Sequence, residues 1–186
     1  AFTPRSPLPI DTSGDVRAML SPMVPMELVG VRVEVPANTP VVILREQTGD
    51  QRLLPIVIGT PEASSIHAAL AGIEPPRPLT HDLLVLLLER LQAQLDRIVV
   101  TEIRDHVFYA ELHLRTAGGA QVVSSRPSDA IALAVRTGSP IFASEQLLVE
   151  AGQETVDVPD ETDEEAIIDE FRDFLDDLDP DDFKGE

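Results

Sequence analysis

At 186 residues the chain is long enough to bury one good hydrophobic core, and a single domain with tails is expected. With no cysteine, disulfide scaffolds, thiolate zinc sites and cysteine nucleophiles are excluded, and the composition fits a reducing cytoplasm. The formal charge of −19 works against nucleic acid, but 17 acids against Arg172 and Lys184 place −15 of it from Glu150 onward, leaving −4 for the rest.

Every basic residue of that remainder is arginine, the side chain suited to bidentate phosphate contact. The longest apolar run, Leu83 to Leu88, is far short of the ~20 residues of a membrane span. Ala1 to Ser21 carries scattered prolines and no apolar signal region, so residues 1–25 read as a disordered leader to a domain over 26–152.

Val29, Val31, Val33 and Val35 alternate with Gly30, Arg32 and Glu34, the period of a half-buried strand. Pro36 to Pro40 breaks it. Val41 to Arg45 reads as a second strand, Thr48-Gly49-Asp50 as a hairpin turn, and Leu53 to Ile58 as the returning strand, with Pro55 marking an edge or bulge. Thr60 is the expected cap of a helix running to Ala71 and stopped by Gly72. The proline-rich run Glu74 to Leu79 makes a stiff connection. Thr80 is then expected to cap the main helix, His81 to about Leu95, whose leucines form a broad apolar face that predicts burial.

Ile98 to Ile103 and Val107 to Arg115 read as strands joined by a tight turn at Asp105-His106. In the second, Phe108, Ala110, Leu112 and Leu114 point one way and Tyr109, Glu111, His113 and Arg115 the other. Gln121 to Ser124 leads into a helix opened by serines and Pro127 and stopped by Gly138. Its Ala130, Ala132 and Ala134 allow close approach to a sheet. A short strand, Pro140 to Ala143, and a short helix, Glu145 to Ala151, follow.

Pro61 to Gly72 and Pro127 to Gly138 are both eleven positions apart, and each follows a hairpin and a strand. The fold expected is therefore α+β: mixed or antiparallel sheets from a duplicated hairpin–strand–helix unit, a central buried helix and a C-terminal acidic helix. Helix amino termini in related environments would offer backbone N–H groups to anions. Residues 153–162 read as an acidic linker and 163–186 as an acidic amphipathic helix and tail. Ile167, Ile168, Phe171, Phe174, Leu175 and Leu178 share one side of it. So acidic a helix needs a surface, on its own core or on a protein partner.

With Leu54-Pro55-Ile56-Val57-Ile58-Gly59, Pro75-Pro76-Arg77-Pro78-Leu79-Thr80-His81-Asp82-Leu83, Phe108-Tyr109-Ala110 and Arg126-Pro127-Ser128-Asp129-Ala130-Ile131-Ala132-Leu133-Ala134 in order, the chain resembles the bifunctional nuclease domain family. The tail ending Asp181-Asp182-Phe183-Lys184 is similar to the bacterial branch with an acidic extension. The resemblance implies an α+β fold, a homodimer and nuclease activity of broad specificity on RNA or single-stranded DNA. Two positions depart from the family pattern. Ser124 stands where a carboxylate is frequent, and His106 where glycine is usual.

Phosphodiester hydrolysis needs an activated nucleophile and neutralisation of charge at phosphorus. The candidates collect at helix starts: His81, Asp82, Arg126 and Asp129 for catalysis, and Glu62, Asp82 and Asp129 as oxygen ligands for Mg²⁺ or Mn²⁺. Arg77, Arg104, Arg136 and Ser128 are the candidates for substrate contact. The same acids also sit where first-turn carboxylates complement a helix dipole, and Arg126 is well placed to pair with Asp129. The alternative is a non-catalytic, dimeric interaction or regulatory module that uses the acidic tail helix. It is favoured by the mildly negative core and by Ser124.

Overall fold

A computed structural model of the chain describes residues 22–34 and 38–153. The chain divides into two units, Ala1–Glu154 and Thr155–Glu186, and the described residues belong to the first. Most of the leader, the linker beyond Gln153 and the acidic helix lie outside them.

The elements are β1 (Met23–Glu34), β2 (Thr39–Glu46), β3 (Leu53–Val57), α1 (Thr60–Leu70), α2 (Thr80–Arg90), β4 (Gln94–Arg104), β5 (Val107–Thr116), β6 (Gly119–Ser125), α3 (Pro127–Thr137), β7 (Ile141–Ser144) and α4 (Glu145–Ala151). The seven strands form one sheet in the order β3-β2-β1-β7-β4-β5-β6. Two antiparallel meanders, β1–β2–β3 and β4–β5–β6, flank β7, which runs antiparallel to β1 and parallel to β4. Each meander leads into a helix of 11 residues with proline in its first turn, α1 in one half and α3 in the other. The fold is α+β with a mixed sheet.

β1 begins at Met23, so the last residues assigned to the leader are part of the sheet. A bulge between Leu28 and Gly30 then shifts its register. Val24 and Met26, before the bulge, are buried in the core, and Leu28 and Val31 pack against it in part. Val29 and Val33 remain exposed, so this run is less buried than its alternation suggests. The β4–β5 turn places Asp105 and His106 both at positive φ, 51° and 62°. That is the twist-matched form of a two-residue hairpin, reached without glycine. Beyond it Ala110 and Leu112 face the core, while Glu111 and His113 pair on the opposite face, as the alternation requires.

The buried helix is α3. Ala130 to Ala134 are all 3% exposed or less, because α3 packs on α1, α2, β4 and β5 together. Its alanines permit that close approach. Gly138, at φ 68°, ends it in the left-handed conformation.

The leucine-rich helix is a correction. α2 stops at Arg90, Gln92 takes positive φ, and Leu95 is buried within β4 rather than on a helix. Only one stripe of α2 faces inward: His81 is buried, and Val85 and Leu88 are half-buried. Leu83, Leu84, Leu86, Leu87 and Leu91 stay between 38% and 73% exposed. Hydrophobic spacing identifies a helix that must cover its leucines; it does not say that its own chain does so.

Candidate active site

Three helix amino termini supply the site. The residues before them are Gly59, Leu79 and Arg126, all extended, and none has a side-chain cap. Thr60 and Thr80 therefore lie inside their helices instead of capping them. Each helix carries one acid at its third position: Glu62 in α1, Asp82 in α2 and Asp129 in α3. There a carboxylate complements the positive end of the dipole, and Asp82 also accepts the Leu79 N–H at 2.9 Å.

Arginines then join the three starts. Arg126 donates from Nε to Asp129 Oδ2, and from one Nη2 to both Asp129 Oδ1 and Glu62 Oε1, each at 2.8 Å. Arg136 donates to Asp82 Oδ1 at 2.6 Å, to the Ser65 carbonyl at 3.2 Å, to Ser65 Oγ at 3.1 Å and to the Ala132 carbonyl at 3.0 Å. His81 lies between these clusters, with Nδ1 2.9 Å from Ser65 Oγ and Nε2 3.2 Å from Asp129 Oδ1. One chain of polar contacts thus runs Glu62–Arg126–Asp129–His81–Ser65–Arg136–Asp82.

Hydrogen bonds from Arg126 hold the Asp129 carboxyl below the usual carboxylate range, and Arg136 does the same for Asp82. An ionised Asp129 can only accept, so His81 Nε2 carries a proton and Nδ1 is the basic nitrogen, accepting from the Ser65 hydroxyl. Asp129, His81 and Ser65 are therefore linked as an orienting acid, a base and a hydroxyl. The imidazole is buried, whereas the Arg126 side chain is 64% exposed. Among the described residues Nη1 of Arg126 has no hydrogen-bond partner.

The other sequence candidates fall elsewhere. Ser128 is buried at the start of α3. Arg104, at the end of β4, pairs with Glu102 and covers the Tyr109 ring at 4.7 Å. Arg77 is exposed in the loop before α2. Arg136 is a helix-to-helix tie with an 11% exposed side chain rather than an open phosphate contact. The carboxylates do not fit a resident cation as arranged. Glu62 and Asp129 share Arg126, and Asp82 is committed to Arg136. Among the described residues no group of three or more His, Asp or Glu side chains could hold a metal ion.

Two features of the structure had no clear signature in the sequence. Ser65 lies in a run of small residues, and only its spacing from Glu62, one turn on, places it on the same face. The other is the ion pair of Arg52 with Glu46 at 2.9 Å and Glu145 at 2.9 Å, which ties the β2–β3 hairpin to α4. It joins residues 93 apart, beyond any local pattern.

Residues 42–156 match the bifunctional nuclease domain. A protein of Mycobacterium tuberculosis (strain ATCC 25618 / H37Rv), described as uncharacterized, is 44% identical over 167 residues, covering 86% of this chain and 98% of that protein. Bifunctional nuclease 1 of Oryza sativa subsp. indica is 28% identical over 118 residues, 62% of this chain and 36% of its own length. Bifunctional nuclease 1 of Arabidopsis thaliana is 27% identical over 124 residues, 65% of this chain and 38% of its own. The match thus takes in little more than a third of each plant nuclease.

Proposed function

Because the chain belongs to the bifunctional nuclease domain family, we propose that it hydrolyses phosphodiester bonds in RNA or single-stranded DNA at the joined starts of α1, α2 and α3. The observation that carries this reading is Arg126. Its exposed guanidinium, with Nη1 unused among the described residues, stands on the Asp129 carboxylate that orients His81. A phosphodiester oxygen would take Nη1 and then compete with Glu62 for Nη2, and developing charge at phosphorus would be neutralised by the guanidinium. Half-buried Ser65 would relay the proton of an attacking water to His81 Nδ1. The water oxygen bonds to phosphorus, the ester P–O bond breaks, and the proton returns to the leaving oxygen. No step is routed through Mg²⁺ or Mn²⁺, since the carboxylates do not form a cation-binding group.

One observation favours the second reading, a non-catalytic interaction module. Glu62, Asp82 and Asp129 already outnumber Arg126 and Arg136 by one charge, so a phosphate must displace an acid to bind. A cleavage assay separates the two. The full chain is given labelled single-stranded RNA and DNA with Mg²⁺, Mn²⁺ or chelator, beside His81→Ala and Asp129→Ala. Loss of general acid–base chemistry is expected to lower the rate by about 10²-fold or more in each variant. Cleavage by both variants at the wild-type rate would place the chemistry elsewhere, and a salt-sensitive mobility shift without cleavage would favour the module.

A further inference from the structure

The proposed cleavage uses Ser65 only to pass a proton, and it makes no use of the depression that Arg136 lines. We propose that Ser65 is also a nucleophile toward neutral, short-chain carboxylic esters, with His81 as its base and the acyl group seated in that depression.

The depression has a volume of about 420 Å³ and lies between α1, the loop that follows it, α2 and α3. That is within the range of roughly 300–1,000 Å³ found for small-molecule sites. Ala68, Ala69, Ile73, Pro75, Pro78 and Val135 give it an apolar lining, beside the paired Asp82 and Arg136. Ser65 precedes Ala68 and Ala69 by one helical turn, so it shares their side of α1. Arg136 makes the connection in atoms, since it lines the depression and its Nη2 donates to Ser65 Oγ at 3.1 Å. The hydroxyl is thus one residue removed from the apolar recess.

The contacts of Ser65 are those of an activated hydroxyl. It reaches His81 Nδ1 at 2.9 Å, and the other nitrogen of that ring meets the Asp129 carboxylate at 3.2 Å. Arg136 adds a cation beside Oγ, and one of its Nη1 hydrogens has no partner among the described residues. Charge developing on the carbonyl oxygen of an attacked ester would fall beside that guanidinium. Neighbouring Ser64 has none of this: it is exposed, and its hydroxyl donates to the Thr60 carbonyl at 2.9 Å. Glu74 and Asp82 also line the depression, so an acyl group bearing a carboxylate would be repelled.

In the first step Ser65 Oγ bonds to the ester carbonyl carbon as its proton passes to His81 Nδ1. The C–O bond to the alcohol then breaks, and the alcohol leaves with that proton. Water attacks the acyl–Ser65 carbonyl and gives a proton to His81. The bond to Oγ breaks, Oγ takes the proton back, and the carboxylic acid is released.

The test treats the full chain with a fluorophosphonate, whose phosphorus loses fluoride to an activated serine, and locates the adduct by peptide mass. Turnover is read on 4-nitrophenyl butyrate and on its anionic counterpart, 4-nitrophenyl hemisuccinate, with melting recorded for every variant. Labelling at Ser65 is expected, with kcat/KM on the butyrate at least about tenfold above the hemisuccinate. Ser65→Ala should abolish the label and lower butyrate turnover by about 10²-fold or more, whereas Ser64→Ala should keep both. Ser65→Cys retains a nucleophile and should retain nitrophenol release. Ala69→Phe, which fills the depression, is expected to lower kcat/KM on the butyrate about tenfold. A wild-type chain that takes no label, a label on Ser64, or turnover undiminished in Ser65→Ala overturns the proposal. No nucleic acid enters these readouts, so a chain that labels at Ser65 yet fails to cut RNA or DNA refutes the nuclease reading alone.

Discussion

Replacing Arg136 by methionine tests whether the polar chain binds the helices to one another. Methionine keeps most of the apolar stem, so the loss is polar. Four hydrogen bonds vanish, and the Asp82 carboxylate is left with the Leu79 N–H alone. Breaking a buried ion pair costs about 3–5 kcal/mol. Asp82 is 27% exposed, so water recovers part of its charge. The expected cost is then about 2–3 kcal/mol, or a melting point lower by about 5–10 °C in a chain of this size. Arg126→Met is the contrasting change. Its side chain is 64% exposed, and an ion pair in that setting contributes under about 1 kcal/mol. Urea unfolding of both variants compares them directly. Equal losses would refute the assignment of Arg136 as the tie and Arg126 as the open contact.

Three further outcomes follow from the same geometry. Asp129 and Asp82 titrate below their ordinary range, mainly through Arg126 and Arg136 respectively, so they add stability above about pH 4 and lose it as pH falls through their folded values. Unfolding measured from pH 6 down to about 3 should therefore show a shallower acid limb for Asp129→Asn than for the wild type; an unchanged limb would show that this pairing does not titrate with folding. Gly138→Ala should cost about 1 kcal/mol from the left-handed backbone alone, since nothing lies within 4 Å of an added methyl; a loss several times larger in thermal melting would mean a packing clash instead. Neither Mg²⁺ nor chelator should move the melting temperature, because each carboxylate of the site is already held by an arginine. A rise with Mg²⁺ would show that Glu62 and Asp129 regroup around a cation.

How much of this was legible in the sequence depended on the range of the interaction. The proline-to-glycine frame of α3, the alternation of β5 and the first-turn acids are set by neighbours a few residues away, and all three stand in the structure. The meeting of His81 with Asp129 across 48 residues was expected only in outline, from the idea that helix starts gather. Ser65 carries no signal, because a serine in the run Ala63-Ser64-Ser65-Ile66 matches no pattern. The burial of α2 was misjudged because periodicity marks a face that avoids water without naming what covers it. The caps failed for a related reason. Thr60 and Thr80 are good capping types, but Gly59 and Leu79 are extended and the acids at the third positions take over the electrostatic role.

The proposed cleavage of nucleic acid takes place where Arg126 stands above the Asp129–His81 pair. The most direct measurement is kcat/KM on a labelled single-stranded oligonucleotide for the wild type and Arg126→Ala, with melting recorded for both. A fall of about 10²-fold or more with melting within about 3 °C is the predicted result, because the lost guanidinium acts on the transition state and little on the fold. An unchanged rate would remove the phosphate from this site.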